Sequence, residues 1–304
     1  MSRIERVLAW EALDSRGRPT VAARVELAGG ATGTTRVPSG ASAGSHEARE
    51  LRDGGDRYQG YGVRAAVAGV LDHLTPAVTG LDAADLIMVD RAIERAQADA
   101  GEAKVGANST LAVSIATALA AAADAGVDLA RYLAGDGPLL LPMPMINIVS
   151  GGAHAGSAID LQDFLVIPHG ATSFAEAIEW AQAVRQQATE LARRKGFAEA
   201  VLVADEGGLG LRLDSNEAAL ALVVEAIDAA GLTPGEQASV AIDAAATEFF
   251  AGGAYRLAAE GRVLSAEQLI EEYAGWLDRY PILSIEDPLA EDDWAGWRMI
   301  TERL

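Results

Sequence analysis

Three short apolar runs in this chain each end on a carboxylate: Val203-Ala204-Asp205-Glu206, Val240-Ala241-Ile242-Asp243 and Leu283-Ser284-Ile285-Glu286. Buried parallel strands read as continuous Val/Ile/Leu runs, and in a β/α barrel the C-terminal strand ends open on one face, where the chemistry sits. Acids at such ends point at a common centre. Carboxylates crowded together stay ionised only if a cation offsets their repulsion, so the economical reading is an oxygen-ligated divalent metal, Mg²⁺ above all. Of Asp205 and Glu206, only one can face the interior from a given strand. The plain alternative for Asp205 to Gly208 is a turn with Asp and Gly in their usual places; the apolar run before it and the acids on the next two strands favour a site.

Two glycine-bearing segments accompany the acids. Pro38-Ser39-Gly40-Ala41-Ser42-Ala43-Gly44 reads either as a flexible linker or as a lid loop whose oxygens complete a Mg²⁺ shell on closure. Gly151-Gly152-Ala153-His154-Ala155-Gly156 follows a candidate strand, and its glycines let backbone approach a ligand. His154 is then a substrate contact or an ordinary structural histidine, the two readings standing level. His46, just beyond the first segment, reads as ordinary surface, and His73 and His169 have no partner visible in the sequence.

The elements that must position these residues divide the chain in two. Up to Gly137, period-two alternation over Ile4–Glu11 and Val21–Leu27 predicts half-exposed antiparallel strands. Helical patterns follow over 62–74, 83–98 and 108–125, giving an α+β domain, 1–137. From 138 to 304, apolar strands alternate with amphipathic helices, the pattern of a parallel β/α architecture. Strands are expected at 144–149, 163–167, 200–204, 239–243 and 282–285. Helices are expected near 173–195, 215–230, 265–278 and from 292 onward, several opening on N-cap serines: Ser173, Ser215, and Ser265 with Glu267. A closed barrel takes eight strands and about 250 residues. The expectation is therefore an incomplete barrel and a fragment of a longer protein.

Composition excludes several function classes. A formal net charge of −20 argues against a nucleic-acid surface, which needs a basic patch. No apolar run reaches the length of a membrane span, and the charged N-terminus does not suit a signal peptide. The chain has no cysteine, hence no disulfide framework or thiolate site. A cytoplasmic location is the expectation.

Taken in order, Asp14-Ser15-Arg16-Gly17-Arg18-Pro19-Thr20-Val21, Pro38 to Gly44, Gly106-Ala107-Asn108, Met145-Ile146-Asn147-Ile148, Gly151 to Ala155, Asp205 to Gly208 and Ser284-Ile285-Glu286-Asp287-Pro288 resemble enolase, the phosphopyruvate hydratase of glycolysis. The resemblance spans the whole chain. It implies an N-terminal α+β capping domain, an enolase-type TIM-like barrel, and a lyase that dehydrates the small molecule 2-phosphoglycerate to phosphoenolpyruvate. It further implies a homodimer, and Mg²⁺ at two sites, the class using a Lys or His base with one or two such ions. On matching positions, Asp243 and Glu286 look like two of the three ligands of the tighter Mg²⁺, and Ser42 like the lid ligand of the second. Glu206 looks like the acid that helps the 3-hydroxyl leave. His154, Gln162 and Asp163 look like substrate-binding residues.

Departures qualify the resemblance. Where the family has a Gln–Glu pair, this chain has Gln162-Asp163; a carboxylate one methylene shorter sits about an ångström away, a misplacement that can cost ~10²-fold in rate. Arg18, Ala43 and Ala204 replace the family's Asn, Thr and Gly. The family's third metal-binding Asp, its base lysine and other substrate-binding residues fall beyond the equivalent of Leu304. The resemblance therefore implies that this polypeptide alone does not turn over. Two alternatives stand beside it: a non-catalytic, enolase-like pseudoenzyme acting through binding, and another superfamily member acting on sugar acids or cycloisomerising small acids.

Overall fold

The computed structural model describes residues 2–40 and 42–304, so Met1 and Ala41 of the small-residue loop lie outside the described residues. The chain forms two compact units, one up to Leu140 and one from Leu141 to Leu304.

The first unit opens with an antiparallel meander of β1 (Ile4–Leu13), β2 (Pro19–Leu27) and β3 (Thr32–Arg36). The β1–β2 turn is built by Asp14, whose Oδ1 accepts from the backbone amides of Arg16 (2.9 Å) and Arg18 (2.8 Å), an Asx arrangement. β2 is the central strand and is buried along most of its length, where its alternation alone suggested half exposure. Among the described residues five α-helices follow. α1 (Arg64–Gly69) runs through a π turn at Val70–Leu74 into α2 (Thr75–Val78), and then come α3 (Leu86–Ala100), α4 (Ala107–Ala125) and α5 (Leu129–Ala134). α4 is rich in alanine and stops at Gly126 in the left-handed region, φ 70°, as helices ending on a glycine do. Its small side chains let the sheet come close: a Cβ on Gly33 of β3 would lie 2.1 Å from the Ala116 carbonyl oxygen.

The second unit has a five-stranded sheet in the order β11-β7-β5-β4-β6, formed by β4 (Ile146–Ser150), β5 (Asp163–Ile167), β6 (Leu209–Gly210), β7 (Ser239–Asp243) and β11 (Ile282–Glu286). β4 pairs parallel with β6, and β7 with β11, but β5 runs antiparallel to both its neighbours. This differs from the all-parallel expectation, and the connection explains it. Loop 151–162 carries no crossover helix, and a strand reached without one returns in the opposite direction. Among the described residues the sheet does not close, in keeping with an incomplete barrel.

α6 (Phe174–Arg194) and α7 (Asn216–Ala229) pack on this sheet, burying Val184, Ala188, Leu220, Val223 and Ile227 with Ile148, Phe164, Val166, Val240 and Ile242. A small meander of β8 (Phe250–Ala251), β9 (Ala254–Leu257) and β10 (Arg262–Leu264) precedes α8 (Ala266–Arg279), and α9 (Trp294–Arg303) follows β11. The cap serines act as expected, Ser173 and Ser215 accepting from the amides of Glu176 and Ala218. At Ser265 the capping-box partner is Gln268, not Glu267. Among the described residues, no helix is long and apolar enough to cross a membrane.

Candidate active site

The direction of β5 decides what gathers at the sheet's edge. Because it runs backwards, its first residue, Asp163, lies beside the last residues of its neighbours: Asp163 pairs with Ser150 of β4 and with Asp243 of β7, and Asp243 pairs with Glu286 of β11. A start and three ends thus meet on one rim. Backbone bonds tie it together, from the Ala244 amide to the Glu286 carbonyl (3.0 Å) and from the Gln162 amide to the Asp243 carbonyl (3.1 Å).

Asp243 and Glu286 form the anionic part of this rim. The Gln162 amide nitrogen donates to Asp243 Oδ2 and the Ala245 amide to Oδ1, both at 3.0 Å. Burial still raises the Asp243 pKa against the pull of those donors, and the Asp287 charge adds to it. Burial also raises Glu286, reinforced by the charges of Asp243, Asp287 and Glu206. Neighbouring carboxylates with raised pKa values are an uncompensated charge cluster. The donors are all oxygens, as a hard divalent ion prefers, so Asp243 and Glu286 fit Mg²⁺.

Beside them lies a histidine–carboxylate system. Asp163 is 2 % exposed; its Oδ2 meets His154 Nδ1 at 2.7 Å, and its Oδ1 accepts from Asn147 Nδ2. Burial pushes the Asp163 pKa up to about 6, while His154, Asn147 and Ser150 pull it back. The other ring nitrogen, His154 Nε2, is 3.8 Å from Glu206 Oε1. Donor atoms of His154, Asp163 and Glu206 lie within 4.8 Å of one another, a spacing that could hold a metal ion. His154 Nδ1 is already hydrogen-bonded to Asp163 Oδ2, and an imidazole nitrogen is a softer donor than Mg²⁺ favours. The trio is better suited to orienting a ring and a carboxyl around a ligand.

Glu206 arrives by a route that the sequence did not suggest. Instead of a strand over 200–204 there are 3₁₀ turns at Ala198–Val201 and Asp205–Gly207, and Val201, Leu202 and Val203 are exposed. The strand, β6, comes after the acids. Glu206 (φ 61°) and Gly207 (φ 91°) are both left-handed, which curls the chain before it can pair. Arg185 Nε of α6 holds the turn through the Gly207 carbonyl, 3.1 Å away, and the Glu206 side chain is left 57 % exposed. Ala245 and Asp287, just after the other two acids, also have positive φ, as does Ser157 in the histidine loop. Backbone of this kind is costly and concentrates at functional sites.

The structure therefore brings together Glu206, His154, Asp163, Gln162, Asp243 and Glu286. Ser42 lies in the first unit, half-buried in the segment after β3. Sequence reading gave no role to Ser150, Asn147 or Asp287. A signal did exist for the first two: Asn147 and Ser150 are polar residues in a strand otherwise apolar from Ile146 to Val149, and buried polar side chains need a partner. Residues 4–133 match the family model described as the enolase N-terminal domain, and residues 138–304 match the one described as the enolase C-terminal TIM barrel domain.

Proposed function

This chain belongs to the enolase family, and from that premise we propose that its rim is the acid and metal half of a 2-phosphoglycerate dehydratase site. The observation that carries this reading is the convergence of Asp243 and Glu286, both with raised pKa values, beside a His154–Asp163 pair that faces Glu206. Asp243 and Glu286 would hold a Mg²⁺, with Gln162 orienting Asp243. When bound, Mg²⁺ offsets negative charge that builds on a substrate carboxylate as its neighbouring carbon loses a proton. Glu206, exposed on the far side of His154 Nε2, would give a proton to a departing hydroxyl, an effect of roughly 10²–10⁴-fold. Asp163 holds His154 so that its Nε2 faces the ligand side. By resemblance alone, Ser42 serves a second Mg²⁺ and the protein pairs as a homodimer.

Lys195, the lysine of the second unit, pairs with Glu225 at 2.9 Å and so does not serve this rim as a proton-abstracting base. We therefore expect the 304-residue chain to bind Mg²⁺ and 2-phosphoglycerate without converting them. Calorimetry with each, beside an absorbance assay for phosphoenolpyruvate, tests this. Turnover by the purified chain overturns the inactivity, and failure to bind either ligand, with a cooperative melt, favours the pseudoenzyme reading.

A further inference from the structure

Asn147 and Ser150 are three apart on β4, a spacing that in a regular strand sends side chains to opposite faces. Here they share one, because the β4–β5 register slips between Asn147 and Val149: Asn147 faces Leu165 and Val149 faces Phe164, leaving Ile148 as the extra residue of a bulge. Bulges re-aim side chains in this way. Both residues are buried, and Asn147 Nδ2 reaches Ser150 Oγ at 3.0 Å.

This pair touches both arms of the histidine–acid system. On one side Asn147 Nδ2 donates to Asp163 Oδ1, leaving Oδ2 for His154 Nδ1. That donation sets the orientation of the Asn147 amide, since its oxygen turned toward the carboxylate would be repelled. On the other side the turn bearing Glu206 lies flush on the pair: a Cβ on Gly208 would come 2.2 Å from Ser150 Oγ and 2.8 Å from Asn147 Oδ1, and Ser150 Oγ is 3.5 Å from the Asp205 carbonyl oxygen.

We propose that Asn147 and Ser150 are positioning residues, one buried polar pair that sets the spacing between His154 and Glu206 by holding Asp163 on one side and the 205–208 turn on the other. A carboxylate held on Nδ1 selects the Nδ1–H tautomer and leaves the Nε2 lone pair toward Glu206. The relevance of that spacing to a substrate rests on the proposed function; the positioning itself does not.

The test is ¹H–¹⁵N imidazole spectroscopy of the 304-residue chain at a pH where the ring is neutral, with His154→Gln to assign the signal. In the unsubstituted protein, His154 should give a single protected Nδ1–H tautomer. Asn147→Leu should release it to an exchanging mixture, while amide-exchange protection of β5 and β7 stays in place. Gly208→Ala pushes the turn away without removing a donor to Asp163. It should keep the Nδ1–H signal but weaken 2-phosphoglycerate binding by about tenfold, as for loss of one charge-assisted hydrogen bond. Should Asn147→Leu not fold, Ser150→Ala is the milder variant, expected to broaden the same signal. A locked tautomer in every folded variant of the pair overturns the proposal. Loss of the tautomer in a protein that never binds 2-phosphoglycerate upholds the positioning and defeats the functional reading instead.

Discussion

Glu11 and Asp53 of the first unit and the rim acids of the second stand in opposite settings. In the first, carboxylates are answered where they stand. Glu11 accepts from both terminal nitrogens of the Arg57 guanidinium and from the Val63 amide, and the Arg57 hydrogen bond brings its pKa down to about 2. Asp53 accepts from the Arg64 and Ala65 amides at the opening of α1. In the second, Asp163, Asp243 and Glu286 sit on one rim with pKa values moved up. A carboxylate whose partners outweigh its loss of water contributes to the fold, and one whose burial outweighs its partners is a candidate to bind a cation or a proton. Backbone strain makes the same division: four of the six described non-glycine residues at positive φ (Ser157, Glu206, Ala245 and Asp287) belong to the loops of the rim.

The largest effect should come from the rim ligands themselves. Asp243→Asn or Glu286→Gln should weaken Mg²⁺ binding, read by calorimetry, by more than the ~10–100-fold typical of losing an outer-shell partner. Unchanged affinity in both variants would break the contrast at its root. Gln162→Ala, which removes only the donor to Asp243 Oδ2, should fall within that ~10–100-fold range.

Next comes selective stabilisation. With Mg²⁺ at 100 times its dissociation constant, linkage gives about 2.7 kcal/mol. Hydrogen exchange should slow in β7 and β11 and stay the same in β1–β3. Uniform slowing of both units would erase the distinction.

The smallest effect is on pH, where the signs differ. Glu11 has a folded pKa of about 2 against an ordinary 4.5, so its stabilising contribution is complete above 4.5 and is lost as pH falls toward 2. Asp163 has a folded pKa of about 6 against 3.8. Its folded form takes up a proton first, so acidification from 6 to 3.8 favours the fold at this site. In metal-free buffer, comparing melts of Asp163→Asn and Glu11→Gln with the unsubstituted protein across pH 2–7 should show the two slopes. Slopes of the same sign would contradict the division.

Much of this was open to reading from residues alone. β7 is legible because Ser239 to Asp243 is an apolar run closed by an acid, and α6 and α7 because Ser173 and Ser215 mark their starts. The run at 200–204 misled for an equally local reason: Val201-Leu202-Val203 has the composition of a strand, but the left-handed Glu206 and Gly207 turn the chain before any partner is met. The meander over 250–264 and the short β3 carry too little alternation to announce themselves.

By itself the sequence determined which residue types were on hand for the chemistry, Glu206, Asp243 and Glu286 at the ends of their segments with His154 in its glycine loop, since such patterns depend on neighbours along the chain. Tertiary structure alone decided that β5 runs backwards, that β4 bulges at Ile148, and that Asp163 therefore meets Asn147, Ser150 and His154. Strand direction and register are settled by which backbone amides and carbonyls a distant segment offers for pairing, and no local pattern carries that information.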